Sequence, residues 1–249
     1  MLSYKHFIAA GTLIVVAGLA CTKESNDATQ SDDIGTGGSL ARFTIAHNHL
    51  YLADYNSLKV YDLTDPATPV QRNTINVGFG VETIYPYRDK LFIGSRDGMY
   101  IYSVTDPGKP VKLGEARHVR SCDPVVANDS VAYVTLRGNS ACGPAQDGLY
   151  VYDIKNITNP IQKSLLPLSQ AGGLGLRDSV VFISRGNAGL SVVNIKNPES
   201  PTLMYTVNDA EYMDVIPYND VLLCYVSNGL LVYDITDLDH IKKIGGVEY

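Results

Sequence analysis

The chain has no tryptophan, five phenylalanines, four cysteines and four methionines among its 249 residues. Without tryptophan, it lacks the commonest platform on which a sugar-cleaving cleft stacks its substrate. The cysteines show no C-x-x-C spacing and no clustered histidine stands near them, so the pattern of a zinc site is missing. Positive charge is also scarce: 20 Lys and Arg face 26 Asp and Glu, a formal charge of −6. With no basic stripe to neutralise phosphates, nucleic acid is excluded as a partner. His6, His47, His49, His118 and His240 are scattered, which makes a metal cage or a triad hard to assemble. No GxSxG, HExxH or P-loop occurs, and GGLGL (Gly172 to Leu176) does not open a helix. No metal and no cofactor are expected. Beyond the first twenty residues no 3.6-residue period is present, which makes the fold class all-β.

What the chain does have is one sentence written five times. The copies are LKVYDLTDPATPV (Leu58 to Val70), MYIYSVTDPGKPV (Met99 to Val111), LYVYDIKNITNPI (Leu149 to Ile161), LSVVNIKNPESPT (Leu190 to Thr202) and LLVYDITDLDHIK (Leu230 to Lys242). With Val60, Ile101, Val151, Val192 and Val232 as equivalents, the intervals are 41, 50, 41 and 40 residues. A period of roughly 40–45 residues built from short strands is the signature of β-propeller blades. In the second copy, strand A is expected at about Val81 to Tyr87, B at Leu91 to Ser95, C at Met99 to Val104 and D from Val111 to Gly114. Arg88-Asp89 and Arg96-Asp97-Gly98 supply the turns, and Asp106-Pro107 breaks the chain before D. Five copies predict five four-stranded blades, with an open or incomplete array as the alternative and no strand exchange to clasp the first blade to the last. Tyr61, Tyr102, Tyr152 and Tyr233 share one repeat position, which marks them as packing residues.

The ends read differently. Lys5 and His6 precede an apolar run from Phe7 to Ala20, too short to span a bilayer comfortably, where about 20 residues are needed, but suited to a secretory signal over residues 1–20. Gly18-Leu19-Ala20-Cys21 resembles a bacterial lipoprotein signal, which implies cleavage before Cys21 and its lipidation; ordinary cleavage after Ala20 is the alternative. Residues 21–38 are polar and Gly-ended, the composition of a flexible acidic linker. Lys23-Glu24 and Asp32-Asp33 resemble the charged stretch that sends some Bacteroidetes lipoproteins to the cell surface. The expected location is the outer membrane, on its periplasmic side or at the surface, with the lipid as the only membrane contact. Residues 39–249 are one propeller domain. LKVYDLTDP and LLVYDITD resemble the LVIVD repeat, and Ser121 to Gly143 resembles the cysteine-bearing central repeat of bacterial LVIVD proteins. The resemblance implies a propeller-like, secreted or envelope-anchored protein of unassigned activity.

The long interval points to the third blade, whose excess lies in GNSACGPAQDG between strands B and C. Strands in a blade alternate in direction, so the start of A and the B–C link share one face of the ring. Cys122, at the start of A, and Cys142, in that link, are then neighbours, and an oxidising compartment predicts a disulfide between them, with free thiols or metal ligands as the alternative. Cys224 falls inside strand B of the fifth blade and reads as a buried small hydrophobe. The same rule gathers Arg96, Arg137 and Arg185 at strand B exits, His118 and Arg120 before Cys122, and Glu82, Asp123, Glu211 and Asp214 in or just before strand A. These residues are candidates for binding a protein or glycan of the envelope, or for inter-blade ties and turn caps. The Asp of VYD (Asp62, Asp153, Asp234) is expected to accept backbone amides at the exit of strand C. A binding or scaffold module, monomeric and non-catalytic, asks least of this sequence. The enzymatic alternative is a glycoside hydrolase-like activity using axial carboxylates roughly 5–9.5 Å apart, drawn from Glu82, Asp123 and Glu211 or Asp214.

Overall fold

A computed structural model describes residues 38–118, 124–138 and 143–249. Twenty strands form five antiparallel sheets, each made of four consecutive strands. Blade 1 contains β1 (Phe43–Ala46), β2 (His49–Asp54), β3 (Ser57–Asp62) and β4 (Val70–Asn76). Blade 2 contains β5 (Val81–Tyr87), β6 (Lys90–Ser95), β7 (Gly98–Ser103) and β8 (Val111–Arg117). Blade 3 contains β9 (Val125–Ala127), β10 (Val131–Leu136), β11 (Gly148–Asp153) and β12 (Ile161–Pro167). Blade 4 contains β13 (Leu174–Arg177), β14 (Val180–Ser184), β15 (Leu190–Asn194) and β16 (Thr202–Val207). Blade 5 contains β17 (Tyr212–Tyr218), β18 (Val221–Val226), β19 (Gly229–Asp234) and β20 (Lys242–Glu248). The molecule is a five-bladed β-propeller with no helix among the described residues. The expected strands of the second copy are present, with β8 running three residues past Gly114 because Glu115 to Arg117 continue the ladder against β7.

The repeated string encodes the same local geometry in every blade. Asp62, Asp153 and Asp234, and Asn194 in their place in blade 4, each accept the backbone N–H two residues on, at 2.7–2.9 Å. Ser103 does the same in blade 2, at 3.3 Å. One step earlier, every C–D ladder slips its register, at Val60/Tyr61, Ile101/Tyr102, Val151/Tyr152, Val192/Val193 and Val232/Tyr233. The two-residue A–B turns place their first residue in the left-handed region at His47, Arg88, Asp178 and Asn219 (φ 49–51°), as tight hairpins between twisted strands require.

Four apolar cores lie between successive blades. Tyr51, Leu58 and Val60 of blade 1 pack with Leu91, Ile93 and Tyr102 of blade 2. Phe92, Met99 and Ile101 meet Ala132, Val134 and Tyr152. Tyr133, Leu149 and Val151 meet Val181, Ile183 and Val193. Phe182, Leu190 and Val192 meet Leu222, Cys224 and Tyr233. Cys224 is fully buried and burial pushes its thiol pKa up, which makes it the inert packing residue its position suggested. No fifth core joins blade 5 to blade 1 among the described residues.

Candidate functional site

On the face where the first strands begin, all five blades wall one cavity of about 510 Å³. Blade 1 contributes Leu40 and Arg42, and blade 2 contributes Glu82 and Thr83. Blade 3 gives Pro124 and Arg137, and the link into blade 4 gives Gln170 to Gly173. Ser184, Gly186 and Asn187 of blade 4 face Glu211, Tyr212, Met213 and Tyr225 of blade 5. The wall is thus built from strand A starts and strand B exits.

Bulges and buried hydroxyls shape this wall. β5 slips register between Val81 and Thr83, and β17 slips between Tyr212 and Asp214, so Glu82 and Met213 are the extra residues of two equivalent bulges. A bulge re-aims the residue it inserts, and both of these line the cavity. The Thr135 hydroxyl donates to the Gly172 carbonyl at 2.5 Å. At the equivalent position, the Ser184 hydroxyl lies 2.9 Å from the Met213 carbonyl and 3.0 Å from that of Gly173. Each hydroxyl pins the start of the next blade. Gly186 and Tyr212 exchange backbone hydrogen bonds at 2.9 and 3.1 Å, which fixes the B–C loop of blade 4 against blade 5.

The polar groups fall into engaged and unengaged sets. Arg96 Nε donates to Glu82 Oε1 at 2.7 Å within blade 2. The Arg96 stem lies over Gly80, whose φ of 66° favours glycine and where an ideal Cβ would fall 2.8 Å from Arg96 Cδ. Arg185 donates to the Ser169 carbonyl and hydroxyl, both at 2.8 Å, tying the link from blade 3 to blade 4. Arg137 lies on the wall itself. His118 ends the β8 segment, half-buried, its backbone N–H on the Asp97 carbonyl at 3.4 Å. The Arg42 guanidinium and the Glu211 carboxylate, from blades 1 and 5, have no hydrogen-bond or ion-pair partner among the described residues. Arg120, Asp123, Cys122 and Cys142 lie outside the described residues, as does Cys21. No cluster of three metal-ligating side chains occurs among the described residues.

Asp214 sits behind the wall. Its carboxylate accepts the Val215 N–H at 2.9 Å, and the Ser39 hydroxyl lies 3.5 Å away. Ser39 Oγ in turn accepts the Leu174 N–H at 2.7 Å. An ideal Cβ on Gly38 or Gly173 would fall 2.2 or 2.1 Å from an Asp214 oxygen. Blades 1, 4 and 5 therefore meet around this one carboxyl. Burial pushes its pKa up to about 6, outweighing the amide hydrogen bonds that lower it.

Sequence reasoning placed Glu82, Arg137 and Glu211 by topology, and these three line the cavity. It missed Arg42, Gln170, Asn187 and Tyr225. It also missed Asp147, whose carboxylate accepts the N–H of Gly138 at 2.8 Å and of Gln170 at 2.7 Å, joining the long B–C segment to the inter-blade link. The strand B exit was a findable signal for Tyr225 and Asn187, whereas the links between blades carry no repeat.

The LVIVD repeat model matches residues 37–76 and 176–209, which correspond to blade 1 and most of blade 4. The second match includes Val193-Asn194, where the copy departs from Tyr-Asp. No curated protein matches the sequence. Among solved structures, a protein from Lactobacillus plantarum is similar with a TM-score of 0.62 at 13% identity, over 82% of this chain and 69% of that one. A computationally designed protein is similar with a TM-score of 0.60 at 12% identity, over 82% and 60%. Apo AztD from Citrobacter koseri is similar with a TM-score of 0.56 at 13% identity, again over 82% and 60%. At these identities the likeness is one of fold. The chain spans 60% of the length of the designed protein.

Proposed function

We propose that this chain is a non-catalytic binding module of the bacterial envelope, held there by a lipid on Cys21, that receives a protein or glycan partner on the face carrying the axial cavity. The observation that supports it best is the convergence of five blades on one cavity whose Arg42 and Glu211 offer an unengaged cation and anion. A rigid ring holds these groups in place before the partner arrives, which lowers the ordering cost of association. The alternative, hydrolysis of a glycoside, needs two carboxylates free to face the substrate. Glu82 is engaged by Arg96, and Asp214 lies behind glycines that leave no room for a Cβ, so among the described residues Glu211 is the one candidate carboxylate left unengaged on the wall. That geometry favours binding over turnover.

The test uses the chain expressed in a bacterium. It should sediment with membranes, and Cys21→Ser should leave the membrane fraction. The soluble form is then probed with peptidoglycan and outer-membrane glycan fragments and, by cross-linking, with intact envelopes. Binding should be lost in Arg42→Ala/Glu211→Gln and kept in Arg72→Ala, whose guanidinium is paired with Asp62 in blade 1, outside the cavity lining. Equal binding by all three, or release of reducing ends from a glycan, would overturn this reading.

A further inference from the structure

The repeat gives every blade two distinguishable sides. The forward side carries the residues equivalent to Tyr51, Leu58 and Val60, and the backward side those equivalent to Leu50, Leu52 and Tyr61. In all four sealed seams, a forward side packs on the backward side of the next blade. Forward residues Tyr51, Phe92, Tyr133 and Phe182 are at most 1% exposed. Their counterpart in blade 5, Leu223, is half-buried, as are Leu230 and Val232 beside it. Tyr225 of the same side is 50% exposed.

The backward side of blade 1 shows the matching defect. Tyr102, Tyr152, Val193 and Tyr233 are at most 3% exposed, whereas their equivalent Tyr61 is half-buried together with Leu50 and Leu52. Phe43 and Ile45 are 60% and 46% exposed. The register puts Phe43 opposite Leu52, Ile45 opposite Leu50, and Leu50 opposite Tyr61, so these five make one continuous patch. Lys59 borders it, ion-paired with Asp54 at 2.8 Å, and its long stem can lie along apolar surface with the ammonium at the rim. Core residue types therefore stand half uncovered at both ends of the blade series. Monomeric proteins rarely expose such contiguous apolar faces without a use for them.

We propose that these two sides join between molecules: the forward side of blade 5 in one copy seats on the backward side of blade 1 in a second copy. Within one molecule, the two blades meet at their inner edges around Asp214 and Ser39, and the sides beyond stay half uncovered among the described residues. The surface that a forward side mates with, at every sealed seam of this protein, is a backward side. A second copy brings one with the same residue pattern. The contact is head to tail, so each pair leaves one forward and one backward side free, and association grows unless the geometry closes.

This predicts a complementation pattern in sedimentation velocity on the full chain. The unmodified chain should form a series of species that grows with concentration. Leu223→Arg removes only the forward side of blade 5, and Leu52→Arg only the backward side of blade 1, so each alone should stay monomeric. Mixed, the two retain one intact pair of sides and should give a 1:1 dimer that does not grow. The N-terminal apolar run is common to every sample and cannot produce that pattern. Circular dichroism checks each fold; if either fails, Tyr225→Arg and Phe43→Arg replace them at positions already exposed. An unmodified chain that stays monomeric throughout the series overturns the proposal, as does association that persists in both variants or a mixture that stays monomeric.

Discussion

Asp214 shows how one side chain can be structural and costly together. Its carboxyl sits where blades 1, 4 and 5 meet, against Gly38 and Gly173. Burial raises its pKa from 3.8 to about 6, so the folded state holds the proton more tightly than the unfolded chain. The stability this preference contributes is complete below about pH 4 and is lost as pH rises to about 6. Ionised at neutral pH, the group costs up to about 3 kcal/mol at 1.36 kcal/mol per pKa unit. The exposed carboxylates work the other way: the hydroxyl and amide of Thr64 with the Arg72 guanidinium hold Asp62 low, and Lys112 with Arg117 lower Glu115. Their contribution is lost as pH falls. Asp214→Asn therefore isolates one term. Urea unfolding of the two chains across about pH 4–7 should show their stability difference shifting in favour of Asn as pH rises through the interval between the two pKa values. A difference that stays constant across it would mean that Asp214 titrates as in an exposed site.

At the scale of elements, the repeat supplies an internal control that most folds lack. Val60, Val151, Val192 and Val232 occupy one position of strand C, yet the first three are 0% exposed and the fourth is half-buried. Val151→Ala removes two buried methyl groups, costing about 2 kcal/mol with its cavity term. Val232→Ala should cost less than half as much, since solvent already reaches the site. Equal losses in denaturant melts would mean that blade 5 is covered in solution, by its own ring or by another copy, and a concentration series separates those two. The strands themselves were legible because each repeat combines apolar runs with Asp, Gly and Pro punctuation at fixed offsets. The cavity was legible only where it is built from repeated positions, as at Glu82, Arg137 and Glu211. Gln170 reaches the wall through the Asp147 carboxylate, and Arg42 through the link into blade 1. Neither link repeats, and the bulges that re-aim Glu82 and Met213 follow from register, which a single strand does not reveal. The half-covered sides of blades 1 and 5 were invisible for the opposite reason. Leu50, Leu52, Leu223 and Val232 carry the same residue types as their buried equivalents, so composition marks them as core.

For the whole molecule, what matters is how many cores each blade touches. Blades 2, 3 and 4 each contribute to two cores, whereas blades 1 and 5 each contribute to one. Local opening free energies follow buried apolar contact, so the ring should not unfold as five equal parts. Central strands make the fairest comparison, because β2 and β3, β6 and β7, β10 and β11, β14 and β15, and β18 and β19 all have hydrogen-bonded neighbours on both edges. Their amides differ mainly in what covers the faces of the sheet. Hydrogen exchange on the dilute chain should therefore give stronger protection in β6, β7, β10, β11, β14 and β15 than in β2, β3, β18 and β19. Raising the protein concentration should bring β2, β3, β18 and β19 toward the others if copies join by these blades, and leave the middle blades unchanged. Uniform protection at every concentration would mean that the fifth seam is sealed within one molecule, and that four cores understate the cohesion of the ring.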